Sequence, residues 1–137
     1  MTAVPVRHVP VLADTVARLA RGRVRAVDCT VGAGGHAALL LEAGAQVLAV
    51  DAAPAAVATA RERLDPGVAT VHHGRFADPA ILEAIQAFRP DFILLDLGVS
   101  SHQLDSDARG FSFRPGIALD MRMDPAAART AALVLNA

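Results

Sequence analysis

Apolar and polar positions follow two periods along this chain, and the point where each period stops marks an element boundary. From Val11 to Ala20, Leu12, Val16 and Leu19 fall at i, i+4 and i+7, which predicts an amphipathic helix. Val24 to Cys29 is a short valine-rich run and reads as a strand. Thr30 to Gly35 holds Gly32, Gly34 and Gly35 and predicts a loop, and His36 to Glu42 predicts a helix with Gly44 as its C-terminal cap. Gln46 to Val50 is again strand-like and is closed by Asp51. Pro54 to Leu64 predicts a helix with proline in its first turn, where the missing N–H removes no bond. Val68 to His72 predicts a third strand. Asp78-Pro79 predicts an N-cap and first turn for a helix reaching about Phe88, and Asp91 to Leu97 predicts a fourth strand.

Strands therefore alternate with helices from residue 24 to residue 97. That alternation predicts an α/β fold, with a parallel sheet and helices on both faces. Several strands are apolar throughout, as expected of strands buried on both sides. From Gly98 to Asp124 the periodicity is lost, and so long an aperiodic stretch is usually functional. Phe111, Phe113, Leu119, Met121 and Met123 give it apolar anchors, so we expect an ordered loop. Asp124-Pro125 is expected to open a last helix running through Leu135.

Composition narrows the class. A length of 137 residues suits one domain, and 53% apolar residues suffice for a core. No apolar run approaches the ~18 residues of a membrane span. Met1 to Pro10 carries no hydrophobic signal core, so a cytoplasmic location is expected. The one cysteine, Cys29, fits a reducing compartment and a small core residue. The net charge of -1 gives no overall pull toward nucleic acid. All 13 basic residues are arginine. Arg7, Arg18, Arg21, Arg23 and Arg25 crowd the start against Asp14 alone, and a solvated helix face accounts for them more simply than a phosphate-binding edge. His36, His72, His73 and His102 show no zinc-site spacing, and no metal is expected.

The candidate chemistry lies in Asp28-Cys29-Thr30-Val31-Gly32-Ala33-Gly34-Gly35-His36, between a strand and a helix. Glycine there lets the backbone turn tightly and approach a ligand closely. Asp51 closes the next strand 16 residues beyond Gly35. An acid at that place suits the two adjacent hydroxyls of a ribose, since one carboxylate offers two oxygens. A nucleoside cofactor is therefore expected. The adjacent glycines followed by His36 fit a pyrophosphate poorly, which favours S-adenosylmethionine over NAD and leaves an NAD-dependent oxidoreductase as the lesser alternative.

Three further motifs bear a family resemblance. Leu95-Asp96-Leu97-Gly98-Val99-Ser100-Ser101-His102-Gln103-Leu104-Asp105, Arg109-Gly110-Phe111-Ser112-Phe113 and Leu119-Asp120-Met121-Arg122-Met123-Asp124 resemble the signature of the RsmH/MraW family. The likeness begins at His8-Val9-Pro10-Val11-Leu12, passes through the glycine loop, and reaches Thr130-Ala131-Ala132 and Asn136. It implies a Rossmann-like class I S-adenosylmethionine-dependent methyltransferase core, truncated after the fourth strand and a following helix. It also implies methylation of the exocyclic N4 of a cytosine in 16S rRNA of the small ribosomal subunit. Position by position, it makes Gly34, Gly35 and His36 the cofactor loop, Asp51 the ribose acid and Phe76 a neighbour of the adenine. It makes Asp96 and Gln103 further cofactor contacts. Asp96 is also the candidate catalytic group, as acceptor for the reacting amine, with a polar group in Gly98 to Gln103 as the alternative. The family usually has Arg-Asp-Pro after the ribose acid, where this chain has Ala52-Ala53-Pro54, and Gly-Pro or Ala-Pro where it has Ile117-Ala118. Family members are roughly twice as long, and this chain stops at Ala137, about where their inserted helical domain begins. Residues 1–137 are thus expected to form a partial cofactor-binding domain. Its partner would be 16S rRNA, with no membrane, a homodimer left open, and cofactor binding without catalysis as the alternative.

Overall fold

The computed structural model describes residues 9–137, without the side chain of His102. Arg7 and His8, counted above in the basic start and in the first family motif, lie outside the described residues. The chain divides into two compact units, one ending at Leu95 and the other running from Asp96 to Ala137. No helix among the described residues is long and apolar enough to cross a membrane.

The first unit is a parallel sheet flanked by helices. Its elements are α1 (Ala13–Ala20), β1 (Arg25–Asp28), α2 (Gly35–Glu42), β2 (Gln46–Asp51), α3 (Pro54–Arg63), β3 (Ala69–His73), α4 (Pro79–Phe88) and β4 (Phe92–Leu94). Strand order is β3-β2-β1-β4, and every pair is parallel. The α/β architecture expected from the sequence, a parallel sheet with flanking helices, is observed.

Period-2 alternation within the apolar strands splits the core in two. Ala26, Val47 and Ala49 face Val16, Ala20, Ala37, Leu40, Ala60 and Leu64, contributed by α1, α2 and the end of α3. Val27, Leu48 and Val50 face the other way, onto Ile81 with Ala84, Ile85 and Phe88 of α4. Burial of each large aliphatic side chain stabilises the unit by about 1.5–3 kcal/mol. Each sheet face needs its own helices, which is why β1 and β2 carry no polar side. The cover is incomplete at β4, where Ile93 remains 54% exposed beside the buried Val27.

β4 is shorter than the Asp91–Leu97 expected. Its neighbour is β1, whose last paired residue, Asp28, meets Leu94, and one further bond from Cys29 N–H to Leu94 O closes the ladder. Beyond that point β1 has become a loop and offers nothing to pair with. At the opposite end Asp91 staples the two strands together. Its carboxylate accepts the Val24 and Arg25 N–H groups at 3.0 and 2.9 Å, and these backbone bonds hold it below the usual carboxylate range.

The second unit has little regular structure. A five-residue helix α5 (Ser101–Asp105) and a 3-10 turn (Asp107–Arg109) occupy part of the stretch expected to be loop. The last helix, α6, spans only Ala131–Leu135, which corrects the start expected at Asp124-Pro125. Asp124 closes a turn on itself instead. Its Oδ1 accepts the Ala126 N–H at 2.9 Å and its carbonyl the Ala127 N–H at 3.0 Å. Arg122 Nη1 then holds the Ala127 carbonyl at 2.8 Å. The helix begins only where Thr130 can cap it, with its hydroxyl accepting the Leu133 N–H.

Candidate functional site

The carboxyl-terminal edge of the sheet gathers the candidate residues of the first unit, where open α/β folds bind their ligands. Asp28 ends β1 fully buried, and its Oδ1 accepts the Thr30 N–H at 3.1 Å. This side-chain turn takes the backbone out of the ladder and starts the glycine loop. The loop then docks against β2: the Val31 N–H donates to Val50 O at 3.0 Å, and the Gly32 N–H donates to Asp51 Oδ2 at 2.9 Å. Gly34, with φ of +79°, makes the left-handed turn into α2 that a side chain would disfavour.

Asp51 ends β2 beside the loop. Its Oδ1 accepts the Ala53 N–H at 2.9 Å while Oδ2 takes Gly32. A carboxylate has about four acceptor positions, so each oxygen retains capacity for one hydroxyl of a diol. The residues present therefore fit a ribose. The segment after Asp51, Ala52-Ala53, is held by the Ala53 bond and by His73. The His73 Nε2 lies 3.2 Å from Ala52 O, so that nitrogen carries the proton.

Phe76 follows β3 in a turn closed by the Arg75 N–H to Asp78 Oδ2 at 2.8 Å and the Asp78 N–H to Arg75 O at 2.9 Å. Asp78 thus spends its carboxylate on this turn and makes no side-chain cap to α4. Phe76 is 39% exposed, enough to leave a ring face for stacking and more than a core aromatic shows. His36 is buried at the start of α2, with Nε2 2.8 Å from Val11 O, and so ties α2 to the segment preceding α1. Cys29 is buried as well. Burial first, and then the neighbouring Asp28 charge, pushes its thiol above the ordinary value, which keeps it protonated and unreactive.

Gly34, Gly35, His36 and Asp51 thus share one loop-and-strand assembly, with Phe76 on the same sheet edge. Asp96 and Gln103 belong to the second unit. Asp96 is its first residue and is exposed. Gln103 sits in a reciprocal cap on α5: its Oε1 accepts the Ser100 N–H at 2.9 Å, and Ser100 Oγ accepts the Gln103 N–H at 3.3 Å. Its Nε2 lies 3.3 Å from the Met123 sulfur.

That unit is organised by two arginines. Arg109 Nη2 donates to the carbonyls of Arg122 and Met123 at 3.0 and 2.8 Å. Arg122 grips Asp120 with two parallel bonds of 2.8 Å, which holds the Asp120 carboxyl at about 2. These arginines are committed to the fold and are not loose cations on its surface.

Residues that the sequence did not single out also shape the site. Asp28 was named only as the first residue of the glycine-loop run, with no role of its own. His73 was set aside with the other histidines. Arg63, which donates from Nη1 to Ala33 O at 3.0 Å, gave no sequence signal beyond a basic last turn of a helix.

A sequence model described as the MraW methylase family matches residues 5–137. The chain is 46% identical over 136 residues to the ribosomal RNA small subunit methyltransferase H of Gemmatimonas aurantiaca, covering 94% of this chain and 42% of that protein. It is 50% identical over 118 residues to the protein of that name from Thermomicrobium roseum, covering 82% and 36%. With the one from Anaeromyxobacter dehalogenans it shares 50% over 123 residues, covering 85% and 39%. The chain thus spans about two fifths of the length of these curated relatives.

Proposed function

The chain belongs to the MraW methylase family, and from that premise we propose that it forms the cofactor-binding part of a methyltransferase acting on small-subunit ribosomal RNA. The methyl donor is S-adenosylmethionine, the acceptor is the exocyclic N4 of a cytosine in 16S rRNA, and the setting is the cytoplasm. The observation that carries this reading is the bond from the Gly32 N–H to Asp51 Oδ2 at 2.9 Å. It joins a turn that admits a ligand to the backbone with an acid that can take a diol, and those are the two halves of an adenosine site.

S-adenosylmethionine supplies an electrophilic methyl carbon on its sulfonium. The chain's own residues bind and orient. Asp51 accepts the ribose hydroxyls through the lone pairs its backbone bonds leave over. The loop at Gly34 and Gly35 brings main-chain groups close to the amino acid end, and Phe76 offers its exposed ring face to the adenine. Asp96 has two roles open to it, as a further cofactor ligand and as a hydrogen-bond acceptor for the amine, which gains positive charge as it attacks. A cytosine amine is a weak nucleophile because its lone pair is delocalised into the ring, so such an acceptor has work to do. Methylation rates and cofactor affinities of Asp96→Asn separate the two. Unchanged turnover with weakened cofactor binding removes the acceptor role.

The reading is tested by calorimetry with S-adenosylhomocysteine, with NAD run in parallel. The chain is expected to bind the former and ignore the latter. Asp51→Ala is expected to weaken binding by about 10–100-fold, since hydrogen bonds to a charged acceptor are the stronger kind. Affinity unchanged by that substitution defeats the proposal.

A further inference from the structure

The last turn of α3 carries two arginines with different targets. Arg61 Nη2 donates to Val71 O at 3.0 Å on β3, and Arg63 Nη1 donates to Ala33 O at 3.0 Å in the glycine loop. Arg63 also covers the loop with its stem. A Cβ added to Gly34 would lie 3.5 Å from Arg63 Cδ and 3.5 Å from Leu64 Cδ2. The peptide between Ala33 and Gly34 is thereby held at both ends, because the Gly34 N–H donates to Val31 O at 2.8 Å while Arg63 takes the carbonyl of the same plane. A peptide plane leading into a glycine rotates with little steric resistance, since the glycine lacks a Cβ. With one end bound, rotation breaks one bond. With both ends bound, it breaks two.

We propose that Arg63 is a positioning residue for the cofactor loop, fixing the Ala33–Gly34 peptide so that the loop is already shaped for the nucleoside before binding. This rests on the proposed adenosine site, and it assigns to a residue outside that site the control of its affinity. Arg63 touches no ligand in this scheme. Its effect is preorganisation, which strengthens binding by removing the entropy lost when a mobile loop is ordered. Arginine suits the place because its planar fork reaches a carbonyl while its aliphatic stem lies across Gly34.

The experiment follows the exchange rate of the Gly34 amide and the affinity for S-adenosylhomocysteine in the 137-residue chain and in Arg63→Ala and Arg63→Lys. Arg63→Ala is expected to speed Gly34 exchange and to weaken binding, each by about five- to tenfold, the range one hydrogen bond supports. The melting temperature should stay nearly constant, because Arg63 is exposed and outside the apolar core. Arg63→Lys, which keeps charge and reach but not the fork, is expected to recover part of both losses. Exchange and affinity both within twofold of wild type in Arg63→Ala overturn the inference. So does a loss of affinity that merely follows a fall in melting temperature. A wild-type chain that binds no S-adenosylhomocysteine, but whose Gly34 exchange still responds to Arg63→Ala, overturns the functional reading while leaving the positioning of the loop intact.

Discussion

The unit ending at Leu95 and the unit from Asp96 to Ala137 achieve order by different means. In the first, a parallel ladder of β1, β2, β3 and β4 is pressed between two apolar clusters, and polar side chains act mainly at the sheet ends. In the second, buried apolar residues are few, and order comes from arginine and carboxylate side chains bonded to the backbone. Arg109 holds two carbonyls, Arg122 holds Asp120 and Ala127, and Asp124 closes its own turn. Core burial tolerates small displacements, because it is not directional. A side-chain-to-backbone lattice does not, because each bond has a distance and an angle to satisfy.

The largest effect is expected where the first unit is densest. Leu40 is fully buried among Val16, Ala37, Val47 and Leu64. Leu40→Ala is expected to destabilise that unit by about 3–5 kcal/mol, combining lost transfer energy with the cavity left behind. Denaturant unfolding followed by amide protection in β1 and β2 measures it. A loss below about 1 kcal/mol would show that the sheet relies less on this cluster than its burial implies.

The corresponding weak point of the second unit is a glycine. Gly110 has φ of +67°, and a Cβ there would lie 2.4 Å from Ala118 O and 2.5 Å from Asp120 N. Neither obstacle is a flexible side chain, so backbone must move. Gly110→Ala is expected to disrupt the packing of Arg109 and Asp120 at a cost of about 3 kcal/mol, from overpacking together with left-handed strain. Faster exchange at the Met121 amide, which bonds Arg109 O at 3.1 Å, reports it directly. Retained protection there sinks the claim that this unit depends on close backbone approach.

Acid sharpens the contrast. Asp120 is held at about 2 by the Arg122 side chain first and the Arg122 backbone N–H second. Its folded value lies below the ordinary 3.8, so its contribution is fully present above that value. The contribution is lost as pH falls from about 4 through 2. The Asp120 carboxyl resonance should titrate near 2 in wild type and return toward 3.8 in Arg122→Ala. A resonance that does not move with Arg122 would mean that the paired bonds do not control the group.

Legibility in the sequence divides along the same line. The valine-rich run at 24–29 and the proline starts at Pro54 and Pro79 placed elements of the first unit to within a residue or two, and the spacing of Leu12, Val16 and Leu19 located α1 although only Val16 of the three is buried, with Ala20 completing the inner face. Buried faces impose a period, and the period is visible without neighbours. β4 was overdrawn to Leu97 because its length is set by where β1 ends, which is information held in another strand. The second unit carried a family signature but no period, so α5 was absorbed into a loop and α6 was started at Asp124, seven residues before Ala131. A capping motif at Asp124-Pro125 looks the same whether the aspartate caps a helix or closes a turn, and Arg122 decides between them from two residues upstream. In the candidate site, the closeness of the glycine loop to Asp51 was readable because strand, loop and acid follow in order. Arg63 was not, because an arginine in a last helical turn has the same sequence signature whether it points to water or to Ala33.

The smallest expected effect tests whether local capping matters where packing is thin. Ser100 and Gln103 form a reciprocal cap on α5, a helix of only five residues. So short a helix has almost no propagation to offset the cost of its first turn. The cap therefore supplies a large share of its stability, although each bond is weak. Ser100→Ala removes the acceptor for the Gln103 N–H and is expected to cost about 1 kcal/mol. The same change in front of a long, packed helix such as α4 would be absorbed by the core, whereas here it should fray the whole element. Exchange at Gln103 and Leu104 would rise about fivefold while Ala132 and Val134, in the separately capped α6, stay unchanged. If α5 keeps its protection without Ser100, then packing rather than capping holds it, and the second unit resembles the first more closely than its hydrogen bonds suggest.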